Sequence, residues 1–156
     1  MDMFDSLFCA GRALCEQIGK EVFSNLPDGG PIVVIMDMDG NCRLSDSERF
    51  AQLNISESYL KELRSKVDDG GEPVVSQLAG CSVIATQLAT EDNNCGYVII
   101  ILPQYGPEST LANFDLIEML LNQVNLIAQL IEKNNHLYEV QAKQLRLYGE
   151  SLTASN

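Results

Sequence analysis

The segment Asp37-Met-Asp-Gly-Asn41, which follows an apolar stretch, carries residue types that could transfer a phosphoryl group. In phosphatases with an aspartate nucleophile, the first Asp of such a segment attacks phosphorus and the second acts as an acid. That chemistry also needs a cation to stabilise the transferring group. No Lys or Arg occurs between Val67 and Glu132, and Asn41 stands where those enzymes carry Thr or Val. We therefore do not expect phosphatase activity.

The same aspartates also match a calcium-binding pattern. Five oxygen-bearing residues fall at ligand positions of an EF-hand loop: Asp37, Asp39, Asn41, Ser45 and Glu48. However, Cys42 replaces the glycine that makes the sharp turn of such loops, and an apolar strand pattern precedes the segment instead of a helix. A β-hairpin with solvated carboxylates explains these residues, so no metal site is expected.

The cysteines and the single histidine give no metal-binding or catalytic pattern. The chain has five cysteines and one histidine, and no two cysteines have CxxC spacing: Cys9, Cys15, Cys42, Cys81, Cys95 and His136. A structural zinc site is therefore not expected. We expect reduced cysteines that pack as small apolar side chains in a reducing compartment, and a solvated histidine.

Length and charge limit the classes of function further. The chain has 156 residues, enough for one domain, with 46 % hydrophobic and 21 % charged residues and a net charge of -12. Such a charge repels nucleic acid and anionic membrane surfaces. The sequence has no apolar run long enough to cross a bilayer, and its first residues lack the basic start of a signal peptide. These features predict a cytoplasmic protein without membrane insertion or nucleic-acid binding.

Hydrophobic periodicity predicts alternating helices and strands. The predicted elements are a helix over 4–22, strands over 32–36 and 42–44, a helix that begins at a Ser45/Glu48 capping box, a helix over 56–67, strands over 73–77, 81–88 and 95–102, and a helix from about 110 to 148. The last three strands are separated by segments too short for helical crossovers, so they should pair antiparallel.

The last predicted helix carries a seven-residue repeat. Apolar or aromatic residues recur at Ile117, Val124, Ile131, Tyr138 and Leu145, and a second series follows three positions later. Up to about Ile131 the repeat is compatible with packing on the protein's own sheet. Beyond Glu132 it predicts contact between helices. We therefore predict a domain over 1–132 and a C-terminal signalling or coiled-coil helix over 133–156 that leads to an absent output domain. We also predict a parallel homodimer joined by the first helix and by the segment Val124 to Tyr148. The predicted dimer helix comprises Val124, Ile127, Ile131, Tyr138 and Leu145.

The order of these elements resembles the GAF domain family. The resemblance rests on the strand Gly96 to Leu102, the acidic helix start Asn113-Phe-Asp115, and the helix Leu120 to Glu139. It implies an α/β (α+β) domain whose antiparallel β-sheet has the N- and C-terminal helices on one face and shorter helices on the other. The PAS fold is the related alternative. The resemblance also implies a regulatory, small-molecule-sensing module of a signal-transduction protein that transmits through its C-terminal helix.

A GAF-like fold would place a ligand pocket opposite the terminal helices, with the segment Arg49 to Val67 as its lid. The predicted pocket residues are Val34, Met36, Leu53, Tyr59, Leu63, Ser82, Ile84, Thr86, Tyr97 and Ile99. We favour Ser82, Ile84 and Thr86 over Cys81, Val83 and Ala85 for the pocket floor, because binding sites place a few polar groups among apolar walls. The scarcity of cations favours a neutral ligand over a nucleotide, and no cofactor is implied. Two alternatives are a thiol enzyme that reduces free methionine sulfoxide, and a degenerate module that only dimerises.

Overall fold

The computed structural model describes residues 3–70, 73–78, 80–90, 94–102 and 114–154. Its elements in chain order are α1 (Met3–Ser24), β1 (Ile32–Met36), β2 (Cys42–Leu44), α2 (Ser47–Gln52), α3 (Glu57–Gly70), β3 (Val74–Leu78), β4 (Cys81–Ala89), β5 (Asn94–Leu102) and α4 (Phe114–Ala154). The predicted strands and helices are present within a few residues of their predicted bounds. The predicted helix start before Phe114 lies outside the described residues.

The strands form one five-stranded antiparallel sheet in the order β2-β1-β5-β4-β3. In the register of its central strands, Val34 pairs with Ile99 and Ile84 with Ile100. All five residues of β1 are buried, because helices cover both faces of the sheet. The predicted α+β fold, with an antiparallel sheet between helices, is confirmed.

Each face of the sheet has its own hydrophobic core. The terminal-helix face packs Val33, Ile35, Ile84, Val98 and Ile100 against α1 and α4. The middle-helix face packs Ile32, Val34, Met36, Cys81, Val83, Ala85, Tyr97, Ile99 and Ile101 against α2 and α3. The division follows from the two-residue period of a strand, which sends successive side chains to opposite faces. This layer arrangement agrees with the prediction.

The predicted floor of the pocket is wrong along β4. Ile84 lies in the core of the terminal-helix face, whereas Val83 and Ala85 lie in the core opposite. Ser82 is fully buried, and its hydroxyl accepts a hydrogen bond from Gln77 Nε2 at 2.7 Å. Because a neighbouring strand satisfies this hydroxyl, a buried serine here needs no ligand. Thr86 lines a surface depression beside α4 instead.

The predicted capping box of α2 is also wrong by one residue. The N-cap is Asp46, whose carboxylate accepts a hydrogen bond from Arg49 N at 3.0 Å. The hydroxyl of Ser45 instead accepts a hydrogen bond from the backbone N–H of Val33 in β1, at 2.8 Å. Ser45 therefore bonds to strand β1, and Asp46 provides the stronger, charged acceptor for the helix start.

Helix α4 runs without a break from Phe114 to Ala154, across the predicted boundary at residue 132. Its residues Ile117, Leu121, Val124 and Ala128 are buried against the sheet. Val124 is thus occupied within its own chain, contrary to its prediction as a dimer residue. From His136 to Glu150 every residue is exposed. Within the described residues, no helix combines the length and the apolar character needed to cross a membrane.

Candidate functional site

A cleft of about 530 Å³ opens between the β1–β2 turn and helices α2 and α3. Apolar side chains of Met36, Phe50, Ile55 and Leu60 form part of its wall. The remaining lining residues are polar or small: Asp39, Gly40, Asn41, Cys42, Glu57, Lys61 and Arg64. The volume is that of a small-molecule site, and the mixed wall combines apolar contact with polar groups that could orient a ligand.

Asp37 builds the turn at the edge of this cleft. Its Oδ1 accepts the N–H groups of Asp39 and Asn41, each at 2.9 Å, and its Oδ2 accepts from Asn41 Nδ2 at 3.2 Å. The residue is only 3 % exposed, so the expectation of solvated carboxylates is wrong for Asp37. Gly40 has a φ of 89°, a conformation that favours glycine. The carboxylate therefore serves to fold the turn.

The calcium pattern does not form a site. Asp37 is committed to the turn, Ser45 accepts from Val33, and Glu48 lies exposed on α2. Among the described side chains, no group of three or more His, Cys, Asp or Glu residues could hold a metal ion.

Arg64 of α3 fixes the β1–β2 turn to the rest of the protein. Its Nη2 donates to the carbonyl oxygen of Met38, and its guanidinium carbon lies 5.2 Å from the centre of the Tyr97 ring. The Tyr97 hydroxyl donates to Asp68 Oδ1 at 2.6 Å. Burial, and then the hydrogen bond to Asp68, raises the pKa of Tyr97. The chain Asp68–Tyr97–Arg64–Met38 thus joins α3, β5 and the turn.

Most of the predicted pocket residues form solid core rather than a pocket wall. Val34, Leu63, Tyr97 and Ile99 are buried on the middle-helix face, and Leu53 and Tyr59 pack against them. Met36 is shared by this core and the cleft. The polar lining residues of the cleft were not predicted as pocket residues, although the Asp-Gly turn and the segment 49–67, predicted to cover the pocket, contain them. Arg64 contacts Met38 and Tyr97, which lie far from it in the chain, so no local sequence pattern indicates its role.

Cys15, Cys42 and Cys95 lack the lowered pKa of a catalytic thiol. Burial raises the pKa of Cys15 to about 11 and that of Cys95 to about 12. Cys15 Sγ donates to the carbonyl oxygen of Cys95 at 3.1 Å. Burial also raises the pKa of Cys42, and the charges of Asp37 and Glu57 raise it further. A thiolate is the reactive species, so the buried Cys15 and Cys95 are unreactive near neutral pH, whereas the exposed Cys42 reacts, but more slowly than a cysteine without neighbouring acids.

Thiol labelling at pH 7.5 provides a test of these environments. In a Cys9→Ser background, we expect Cys42, which is exposed, to react with a small maleimide, and Cys15 and Cys95 to react only after unfolding. Glu57→Gln should speed the labelling of Cys42 several-fold, because removal of a neighbouring negative charge lowers the thiol pKa and increases the thiolate fraction. Mass spectrometry of quenched samples measures both rates. Labelling of Cys15 or Cys95 as fast as Cys42 would contradict the burial.

A second candidate surface lies on α4, on the side away from the sheet. Six large apolar residues there are between 38 and 58 % exposed, and we call them the outer stripe: Met119, Leu126, Leu130, Leu137, Val140 and Leu147. They recur at helical spacings of three, four and seven. Beyond Asn135, three further residues are 65 to 72 % exposed: Tyr138, Leu145 and Tyr148.

The predicted dimer helix divides between two surfaces. Val124 lies in the core, and Ile127 and Ile131 pack at its edge. Tyr138 and Leu145 are exposed, because the sheet does not reach them. The outer stripe, which the sequence repeat did not identify, is the longer of the two exposed apolar surfaces of α4.

Comparison with known proteins identifies no relative: no protein-family model, no curated protein and no solved structure matches this chain. The GAF resemblance and the PAS alternative therefore remain predictions from the sequence.

Proposed function

We propose that this chain is a regulatory module that pairs with a second copy through α4 and transmits a signal along that helix. The outer stripe carries the proposal. It extends from Met119 to Leu147 and leaves large apolar side chains exposed along 29 residues, which is unusual for a monomer. Desolvation of such a surface favours association by about 25 cal/mol per Å² of apolar area.

A second copy is the proposed occupant because the stripe is complementary to itself. Together with Gln123, Lys133 and Gln144, its apolar positions follow the three-four spacing with which two helices interlock over several heptads. Among the described side chains, none covers the apolar residues of the extension from His136 to Glu150, all of which are exposed. An output domain beyond α4 in a cytoplasmic signalling protein would receive the signal.

The cleft beside the β1–β2 turn is the proposed sensing site. Lys61 and Arg64 are balanced there by Asp39 and Glu57, so the lining has no net charge. This balance favours a neutral small molecule, and the proposal includes no cofactor and no enzymatic step. Strand β1 offers a route to α4, because Met36 lines the cleft and the adjacent Ile35 packs in the core beneath α1 and α4.

A molecule tethered in the cleft tests the sensing part. Cys42 lines the cleft and is exposed, so N-benzylmaleimide attached to it, in a Cys9→Ser background, places an apolar occupant there. We expect the dimer dissociation constant, measured by sedimentation, to change at least ~3-fold, which corresponds to a coupling free energy of about 0.7 kcal/mol or more. Hydrogen exchange in 114–154 should change with it.

The matched control carries the same label outside the cleft. Glu62→Cys in a Cys9→Ser, Cys42→Ser background places the label on the exposed side of α3, and this label should leave the dimer unchanged. An unchanged dissociation constant with a fully labelled Cys42 would contradict sensing through this cleft and favour a module that only dimerises. Turnover of methionine sulfoxide by the purified protein, lost on cysteine substitution, would favour the thiol-enzyme alternative.

A further inference from the structure

We infer that the two copies of α4 pack antiparallel, in a register centred between Leu137 and Val140. The inference rests on the proposed dimer and specifies its partner surface. Three polar residues, Gln123, Lys133 and Gln144, lie between the apolar residues of the outer stripe and complete its alternating spacing of four and three. The combined series is Met119, Gln123, Leu126, Leu130, Lys133, Leu137, Val140, Gln144 and Leu147. Side chains at these spacings meet in layers when two such helices pair.

A parallel pair would match the stripe poorly. In that arrangement each residue meets its own counterpart, so Lys133 faces Lys133 of the second copy in the middle of the interface. At the flanks, Leu120 would lie opposite Asp115 of the second copy, and Ile127 opposite Asn122. Like charges and unmatched polar groups at these positions cost binding energy.

The antiparallel register matches like with like in its central layers, whereas Leu126 meets Ser151 and Met119 lies beyond the overlap. Leu137 meets Val140 of the second copy, and Leu130 meets Leu147, so apolar side chains cover one another. Lys133 meets Gln144, whose amide oxygen can accept a hydrogen bond from the ammonium group. Because the pair is symmetric, each of these layers occurs twice. Polar residues at core positions fix register in helical pairs, and here they select one arrangement.

The flanking positions agree with this register. Ile127, which is half-buried at the edge of the core, lies opposite Tyr148 of the second copy. Asn134 lies opposite Gln141, so the polar residues of this flank also face one another. Each exposed extension then covers the outer side of the other copy's domain. The two copies of α4 overlap over residues 123–154, about 48 Å at 1.5 Å per residue.

This arrangement has a consequence for signalling. The C-terminal ends of the two helices emerge at opposite ends of the dimer, and each lies beside the domain of the other copy. A signal would therefore pass from one domain to the C-terminal end of the other chain.

Cysteine cross-linking tests the register. In a Cys9→Ser, Cys42→Ser background, Leu130→Cys and Leu147→Cys are made as separate proteins, mixed, unfolded and refolded together, and oxidised mildly. The mixture should give at least ~10-fold more cross-linked dimer than either protein alone, because only the mixed pair brings the two Cα atoms within disulfide reach. In this register the identical positions lie about 25 Å apart along the helix axis.

Each other outcome overturns the inference in a distinguishable way. Strong cross-linking of Leu130→Cys with itself would show a parallel pair, and would leave the proposed dimer intact. A dimer by sedimentation with no cross-link in any sample would show a different register or surface. A monomer at every concentration, for the cysteine variants and the unmodified chain alike, would overturn the inference and the proposed dimerisation together.

Discussion

The double substitution Leu130→Glu/Leu137→Glu is expected to convert the dimer to a monomer without unfolding it. Both side chains are 58 % exposed in the single chain, so their replacement removes little from the core. In a dimer through the outer stripe they would be desolvated, and a buried unpaired carboxylate costs several kcal/mol. We expect the dissociation constant to rise at least ~100-fold, since each 1.4 kcal/mol is a factor of ten. Sedimentation velocity over a range of concentrations measures the change.

Two single variants give the matched controls. Ala142→Glu adds the same charge to the same exposed extension but on the side opposite the outer stripe, so the dimer should remain. Val124→Glu buries a charge in the core beneath α4, so this protein should unfold rather than dissociate. A double variant that stays dimeric, or an Ala142→Glu protein that dissociates equally well, would contradict an interface on the outer stripe.

The contrast between Val124 and Leu137 shows why the sequence could predict α4 but not its exposed surface. Between Ile117 and Ile131 the helix is apolar on two sides, and both sides repeat at spacings near seven. A repeat of this kind fits a sheet-packed helix and a helix pair equally well. The choice depends on which side meets the sheet, and that contact involves residues far away in the chain, such as Ile84 and Ile100.

The same limit applies to the pocket. Strand β4 is buried on both faces over its first five residues, so its alternation of residue types separates two sets without showing which helices cover each. Ser82 suggested a binding face, but Gln77 on β3 satisfies its hydroxyl. By contrast, strands β1 and β5 were predictable because their runs of β-branched residues are typical of strands with both faces covered.

The turn at the cleft was predictable in kind but not in role. The Asp-Gly sequence correctly indicated a β-hairpin between β1 and β2. Three of its acidic and amide residues then competed as candidates for catalysis, calcium binding and turn formation. Burial of Asp37 and its hydrogen bonds to Asp39 and Asn41 favour turn formation, because a carboxylate with these bonds is no longer free to bind a ligand.

The substitution Gly96→Ala is expected to be the most destabilising single methyl addition to this fold. Gly96 has a φ of 134°, and a Cβ there would lie 2.0 Å from the carbonyl oxygen of Met36 and 2.9 Å from Asp37 Cα. These are backbone atoms, so no side chain can rotate to make room. The backbone strain and the steric clash add, and we expect a loss of about 4 kcal/mol or more in the free energy of unfolding.

Two other glycines separate strain from clash. Gly80 also has a positive φ, of 82°, so alanine is strained there, but no atom lies within 4 Å of the new methyl group. Gly80→Ala should therefore lower the free energy of unfolding by about 1 kcal/mol. Gly70→Ala in α3 meets neither obstacle and should be neutral or slightly stabilising. Urea unfolding of the three variants measures the series.

Because Gly96 brings β5 against the end of β1, Gly96→Ala should also disturb the Asp37 turn and the adjoining cleft. This disturbance would be visible as faster labelling of Cys42. A Gly96→Ala protein as stable as Gly80→Ala would show that β5 does not approach β1 this closely.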